Sequence, residues 1–218
     1  MKSGRNRTNQ KELELGLEQY RRSVKESKRA SILAAAQENF LKNGFSRAAV
    51  AEIAREADVS TATLYKHFSS KEELFATVVR ESYGEVGEEF GAIPATGTAR
   101  EILYRLARAY LKAQYEHQVV GLMRIVIAEV PTAPEVAKDA YNYITMRRHE
   151  QLTHIFDLMV DRKMLKPHDT NLGTYLIAGM IKEKLIWPAL FDATFNLPDN
   201  ADEVIYEAID IYLARYAT

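Results

Sequence analysis

Cysteine is absent from all 218 residues, which excludes disulfides, cysteine-based metal sites and thiol nucleophiles. Long hydrophobic runs are missing too. No window approaches a membrane span and the N-terminus carries no apolar signal-peptide core, so a cytoplasmic protein with no membrane partner is expected. Nor is there a glycine-rich phosphate loop, a serine on a nucleophile elbow or an HExxH pair. Glu150 and His154 stand four residues apart with His149 adjacent, and that trio could share a metal. The second Glu-x-x-His of a di-iron bundle is lacking, however, and the neighbours Glu116 and His117 point in different directions on a helix. The expectation is a non-enzyme with no catalytic residue, no metal and no cofactor.

Net charge is also scarce, −1 overall, but that average hides a split: residues 1–80 carry +5 and residues 81–218 carry −6. A basic N-terminal part joined to an acidic body suits a protein that meets a polyanion at one end only. Strand alternation and internal repeats are absent, while apolar residues recur at helical spacing from about Lys11 to the C-terminus. The fold class read from this pattern is all-α.

The most informative stretch is GFSRAAVAEIAREADVSTATLYKHFSSKEELF, residues 44–75. Val50, Ile53, Ala54 and Ala57 form an i, i+3, i+4, i+7 stripe that buries one face of a first short helix. Ser60 is placed to cap a second, and only Asp58 and Val59 lie between them. Aspartate tolerates the left-handed backbone that so tight a turn needs. The second helix offers Leu64 and Phe68 to the core and leaves Thr61, Thr63, Lys66 and His67 on its other side. Hydroxyls, a lysine and a histidine on an exposed helix face match phosphate oxygens and base edges. The arrangement is that of a helix-turn-helix with the second helix as reader. Ser70 and Glu73 then form a capping box for the next helix. Lys71 sits at that helix's first turn, where a phosphate is favoured.

This stretch resembles the DNA-binding domain of the TetR family of transcriptional repressors over roughly residues 28–80. The resemblance rests on Val59-Ser60, Thr63-Leu64-Tyr65, His67-Phe68 and Ser70-Lys71-Glu72 at contiguous spacing. It implies a homodimeric, all-helical regulator that releases a palindromic operator when a small apolar or amphipathic effector binds its C-terminal domain. The run IAEVPTAPEVA, residues 127–137, is similar to the AefR-like branch of that family. The chain departs from the family's usual threonine near the first motif helix, and from its glycines in the turn and in the reading helix, carrying Ala48, Asp58 and Ala62 instead. Arg47 is the expected substitute for the missing hydroxyl contact. The DNA-contacting set is therefore Arg47, Ser60, Thr61, Thr63, Tyr65, Lys66, His67 and Lys71.

In chain order, residues 1–25 read as a basic N-terminal extension, partly helical. A disordered tail is expected to about residue 10, with Lys2, Arg5 and Arg7 as candidate minor-groove contacts. From Lys11, Leu13, Leu17, Tyr20 and Val24 form a stripe expected to pack on the DNA-binding domain. Residues 26–80 make up that domain, a helix-turn-helix unit of three helices. Its first helix, about 28–43, buries Ile32, Leu33, Ala36 and Phe40 and stops at Gly44. Residues 81–218 form the helical regulatory and dimerisation domain. A connecting helix from Lys71 reaches Gly84 and Gly87, a candidate tilt point, before a loop at 91–98. Helices are expected at about 99–118, 119–130, 134–163, 170–191 and 201–216.

Candidate effector-binding residues are Tyr104, Tyr110, Met123, Arg124, Tyr143, Met146, His149 and Phe156, with Tyr115, Glu129 and Tyr141 as further candidates. The last two helices hold more apolar residues than one face needs. Leu176, Ile177, Met180, Ile181, Leu185, Ile205, Ile209 and Tyr212 are expected to build an intersubunit four-helix bundle. Expected partners are double-stranded operator DNA, a second copy of the chain and an unidentified small molecule. The rival reading is a helical protein-interaction or metal-binding protein whose helix-turn-helix does not read DNA.

Overall fold

The structure is a computed structural model that describes residues 3–91, 97–116 and 118–218, without the side chains of 3–15, 83–91 and 144. Among the described residues the chain is helical, with one isolated antiparallel bridge between Leu165 and Ala217. It divides into two units, Met1–Phe75 and Ala76–Thr218.

The first unit begins with α1 (Ser3–Arg47), which is interrupted at Gly44, where φ is 76°. Residues with a Cβ avoid that left-handed backbone, so glycine sets the point where the chain leaves the helix axis. Ile32, Leu33, Ala36 and Phe40 are buried, as their spacing predicts. Phe40 meets Phe75 edge-on at 5.0 Å, and Phe45 lies 5.1 Å from Phe75. Fully buried in the same unit are Ile53 of α2 (Val50–Glu56), Leu64 of α3 (Thr61–His67), and Leu74 from the first turn of α4 (Lys71–Gly91).

Two expectations for the extension are corrected. Residues 3–10 are helical rather than a coil, because no proline interrupts them and propagation is easy once a long helix exists. Leu17 and Tyr20 do not pack on the domain; they are 50% and 68% exposed. The segment between them and Lys28 holds no glycine or proline to turn the helix back, so α1 runs straight on. The loop 92–96 and Lys2 lie outside the described residues, as do the side chains of Arg5, Arg7 and Leu13. The helix α4 continues through Gly84 and Gly87, whose surroundings also fall outside what is described.

The second unit contains α5 (Ala99–Glu116), α6 (Val119–Ala128), α7 (Pro134–Tyr141), a π-helical turn (Asn142–Met146), α8 (Arg147–Asp161), α9 (Thr170–Leu185), α10 (Trp187–Phe191) and α11 (Ala201–Tyr216). The expected helix 134–163 is thus split by the π turn, and 170–191 is split before Trp187. Pro188 explains the second break, since it lacks an N–H and its ring crowds the carbonyl four residues back. One core unites Leu106 and Leu111 of α5, Phe156 and Met159 of α8, Ile177, Ile181 and Leu185 of α9, and Ile205, Ile209 and Tyr212 of α11.

That core corrects the expected dimer face. Ile177, Ile181, Leu185, Ile205, Ile209 and Tyr212 are buried within the subunit and Met180 is half-buried, so of that set Leu176 alone stands exposed. The excess of apolar residues arises because both helices bury one face internally and carry apolar residues on another. On α9 the outer stripe is Leu172, Tyr175, Leu176 and Gly179, again at i, i+3, i+4, i+7.

Candidate nucleic-acid interface

The turn between α2 and α3 is closed by three backbone bonds. Ala57 N–H donates to Ile53 at 2.9 Å, Asp58 N–H to Arg55 at 3.2 Å and Val59 N–H to Ala54 at 3.0 Å. The last two are the paired bonds of a Schellman ending, with Asp58 at the left-handed position, φ 53°. The chain then enters α3 through Ser60, whose Oγ accepts the Thr63 N–H at 3.1 Å and lies 2.9 Å from the Thr63 hydroxyl. Leu64 and Phe68 anchor the other side of α3 in the core. Helix α3 is therefore fixed at both ends and along one face. Its outer face presents Thr61, Tyr65 and Lys66, all exposed, with Thr63 half-buried.

The Tyr65 ring is 49% exposed. Arg47 is exposed and its Nε donates to the Asn43 carbonyl at 3.1 Å, which holds the guanidinium at the end of α1. Ala48 is buried, so this position serves packing. The α1–α2 pairing is held by a short amide ladder: Asn43 donates to Asn39 at 3.2 Å, and Asn39 to Glu56 at 3.5 Å.

Two expected contacts have other work within the fold. The Lys71 ammonium donates to the carbonyls of Ser46 and Ala48, both at 3.2 Å, and sits 4.7 Å from the Phe45 ring. Breaking α1 at Gly44 strands carbonyls that need a donor, and Lys71 supplies it. His67 is half-buried, and its Nδ1 is enclosed without a hydrogen-bond partner. Burial first, then the charges of Lys25, Arg29 and Lys28, lower its pKa. Its ring thus lies near the basic stripe of α1, whose charge disfavours a protonated imidazole. That stripe, at i, i+3, i+4, was not read from the sequence, although its spacing was visible. Arg29 also lies 5.5 Å from the Phe68 ring. Ser70 accepts the Glu73 N–H at 3.1 Å, while the Glu73 carboxylate reaches back to Ser69 rather than to Ser70.

In the second unit the candidate effector residues are dispersed. The Tyr104 hydroxyl donates to Asp202 at 3.0 Å and its ring stacks on Tyr206, which ties α5 to α11. Arg124 donates to the Ala189 carbonyl at 2.6 Å, next to half-buried Met123. Phe156 lies in the core against Tyr212, and Glu129 accepts from the Thr132 hydroxyl at 2.5 Å. Tyr141 is exposed, and the Tyr115 hydroxyl donates to the Leu185 carbonyl. Tyr143 lies beneath the Arg147 guanidinium, and Met146 receives the Tyr175 hydroxyl at 3.9 Å.

Tyr110 and His149 each meet a residue that sequence reasoning passed over, Arg148 and Tyr175. The Arg148 guanidinium lies 5.1 Å from the centre of the Tyr110 ring. Burial pushes the Tyr110 hydroxyl up to about 12. His149 stacks on Tyr175 at 3.7 Å; burial lowers its pKa, a bond with Asn171 opposes this, and Lys182 adds to the lowering. Among the described residues no three His, Asp or Glu side chains gather as a metal would require, and no helix is long and apolar enough to cross a membrane.

Comparison with known proteins agrees with this geometry. Residues 32–78 match the family described as bacterial regulatory proteins, tetR family, and residues 101–218 match the AefR-like transcriptional repressor C-terminal domain. The HTH-type transcriptional activator FasR of Mycolicibacterium smegmatis is 33% identical over 170 residues, which is 76% of this chain and 74% of that protein. A Mesorhizobium loti protein assigned to the TetR family superposes with a TM-score of 0.80 at 23% identity, over 89% of this chain and 98% of that one. FadR of Bacillus subtilis, solved with stearoyl-CoA, gives 0.68 at 21% identity, over 83% and 97%. A capped reading helix on a three-helix unit, followed by a helical domain of the AefR-like type, places the chain in the TetR family of bacterial transcriptional regulators, a family of DNA-binding proteins and not of enzymes.

Proposed function

We propose that this regulator binds a two-fold symmetric operator as a homodimer, acts as a repressor and leaves DNA when an amphipathic small molecule occupies its second unit. The observation that carries the DNA-reading part is the outer face of α3. Thr61, Tyr65 and Lys66 are exposed on a helix that the Ser60 cap, the Asp58 turn and buried Leu64 and Phe68 hold fixed. On this reading Thr61, Thr63 and Lys66 face base edges or phosphates, and Tyr65, Ser60 and Arg47 meet the backbone. His67 and Lys71 position the motif instead.

Dimerisation is assigned to the outer stripe of α9, Leu172, Tyr175, Leu176 and Gly179, where a Cβ on Gly179 would meet nothing within 4 Å. Two copies related by a two-fold axis would set their reading helices in major-groove half-sites about 34–36 Å apart. An effector that changes that spacing weakens DNA binding, and DNA weakens effector binding reciprocally. The FadR complex with stearoyl-CoA supports an amphipathic ligand, and the AefR-like C-terminal domain supports repression. The intracellular setting of DNA puts the protein in the cytoplasm.

Selection of bound sites from a random duplex library, followed by fluorescence anisotropy across a salt series, tests the reading. Enrichment of a palindrome whose binding is lost in Thr63→Ala, Tyr65→Ala or Lys66→Ala is expected. Weak, steeply salt-dependent binding with no enriched sequence would reject it and favour a non-reading helix-turn-helix.

A further inference from the structure

Helix α1 carries its inner face beyond the core that the face covers. Ile32 and Ala36 are fully buried on that face. The same line continues toward the N-terminus through Lys28, Lys25 and Arg21, at steps of four, three and four residues, and all three of these side chains are exposed. Like charges three and four residues apart repel, so the run weakens the helix unless an anion lies against it. Arg22 belongs to another side, where it pairs with Glu26 at 2.9 Å. Exposed Glu18, one turn beyond Arg21, closes the positive run.

This stripe starts beside the end of the reading helix. The guanidinium of Arg29, next to Lys28, lies 5.5 Å from the centre of the ring of Phe68, the residue that follows α3. Lys25 and Lys28 both act as like charges on His67, the last residue of α3. The cations therefore begin next to the turn of α3 that carries exposed Tyr65 and Lys66 and lead away from it along α1. A helix seated in the major groove ends at the groove's rim, where the sugar-phosphate backbone lies. From Lys28 to Arg21 the helix rises about 10 Å, which matches about three phosphates along one strand.

We propose that Arg21, Lys25 and Lys28 form a second, sequence-independent DNA contact that holds the phosphates flanking each half-site, outside the bases that α3 reads. The reading helix selects the site, and this stripe adds affinity on any sequence. The proposal rests on the DNA-binding reading given above, but its prediction is separate, because phosphate contacts are made on every duplex.

Fluorescence anisotropy of the full chain, on the operator and on a random-sequence duplex across a salt series, tests it. Arg21→Gln, Lys25→Gln and Lys28→Gln should each flatten the slope of log affinity against log salt by about 0.9 per cation lost, hence about 1.8 for one substitution in a dimer. Each should weaken both duplexes by the same factor and leave the specificity ratio unchanged. Trimming the operator to its two half-sites should weaken the unmodified chain and spare the triple variant. Lys138→Gln, exposed in the second unit, removes the same charge elsewhere and should leave the slope as it is. Circular dichroism verifies that the variants fold. An unchanged slope in all three variants, or an equal change in Lys138→Gln, would overturn the proposal. So would variants that lose binding to phosphatidylserine vesicles alone, since the stripe would then belong to a lipid surface. Slope differences that persist on random duplex when the unmodified chain selects no operator would keep this contact and remove the reading assigned to α3.

Discussion

The polar contacts of the reading unit are mostly local, whereas the regulatory unit adds to its local ones several that span much of the chain. Ser60 caps a residue three positions on and Ser70 does the same, while Asn43 bonds four residues back. Tyr104 instead bonds Asp202, Arg124 bonds Ala189, and His168 bonds Tyr212. Local caps form with the helix they cap and hold the reading face whatever the remainder does. Long-range bonds exist only while several helices keep their packing. The first arrangement suits a surface that must stay fixed, and the second suits a body whose packing a ligand can bias.

The largest blow to this contrast is Phe40→Ala, which removes the centre of the aromatic cluster in the reading unit. About 3–5 kcal/mol should be lost. Operator binding should disappear in a titration at ambient temperature, and denaturant unfolding should show the loss. Gly173→Ala probes the other unit, where an added Cβ would stand 2.6 Å from the Tyr212 hydroxyl and 2.8 Å from His168 Nε2. A cost of about 1–3 kcal/mol is expected from the overpacking, read as a lower thermal midpoint. DNA contacts of isolated half-sites should persist. Ser60→Ala removes one local cap and should cost about 1 kcal/mol, with operator affinity falling alongside because α3 frays where it reads.

The smallest effect is a pH dependence that assigns one histidine to each unit. Folding lowers the pKa of both His67 and His149, so the neutral ring is the form the fold favours. Their contribution is present above the ordinary histidine value of about 6.5 and is lost as pH falls through the lowered folded values. Thermal unfolding between about pH 6.5 and 5 should show declining stability. His67→Gln should flatten the decline of the reading unit and His149→Gln that of the regulatory unit.

The same division explains what was legible in the sequence. Val50, Ile53 and Ala54 at helical spacing, Asp58 in a tight turn and Ser60 before a helix each act on neighbours within five residues, and the motif followed from them. The outer face of α9 was misplaced because periodicity gives two apolar stripes without saying which one meets the chain's own core. Ile177 and Ile181 proved to be inside, and Leu172 and Tyr175 outside. The role of Lys71 depended on two carbonyls more than twenty residues away, stranded by the break at Gly44. Arg148 and Tyr110 come from two helices, and no local signal links them.

Asp58 leaves an opening for engineering. A non-glycine residue at a left-handed position forgoes stability that glycine would recover, about 0.5–1 kcal/mol net once glycine's greater freedom in the unfolded chain is counted. The substitution touches none of the side chains assigned to DNA. Asp58→Gly is therefore a route to greater heat tolerance in which sequence preference should survive unaltered, a headroom the natural chain has left unused.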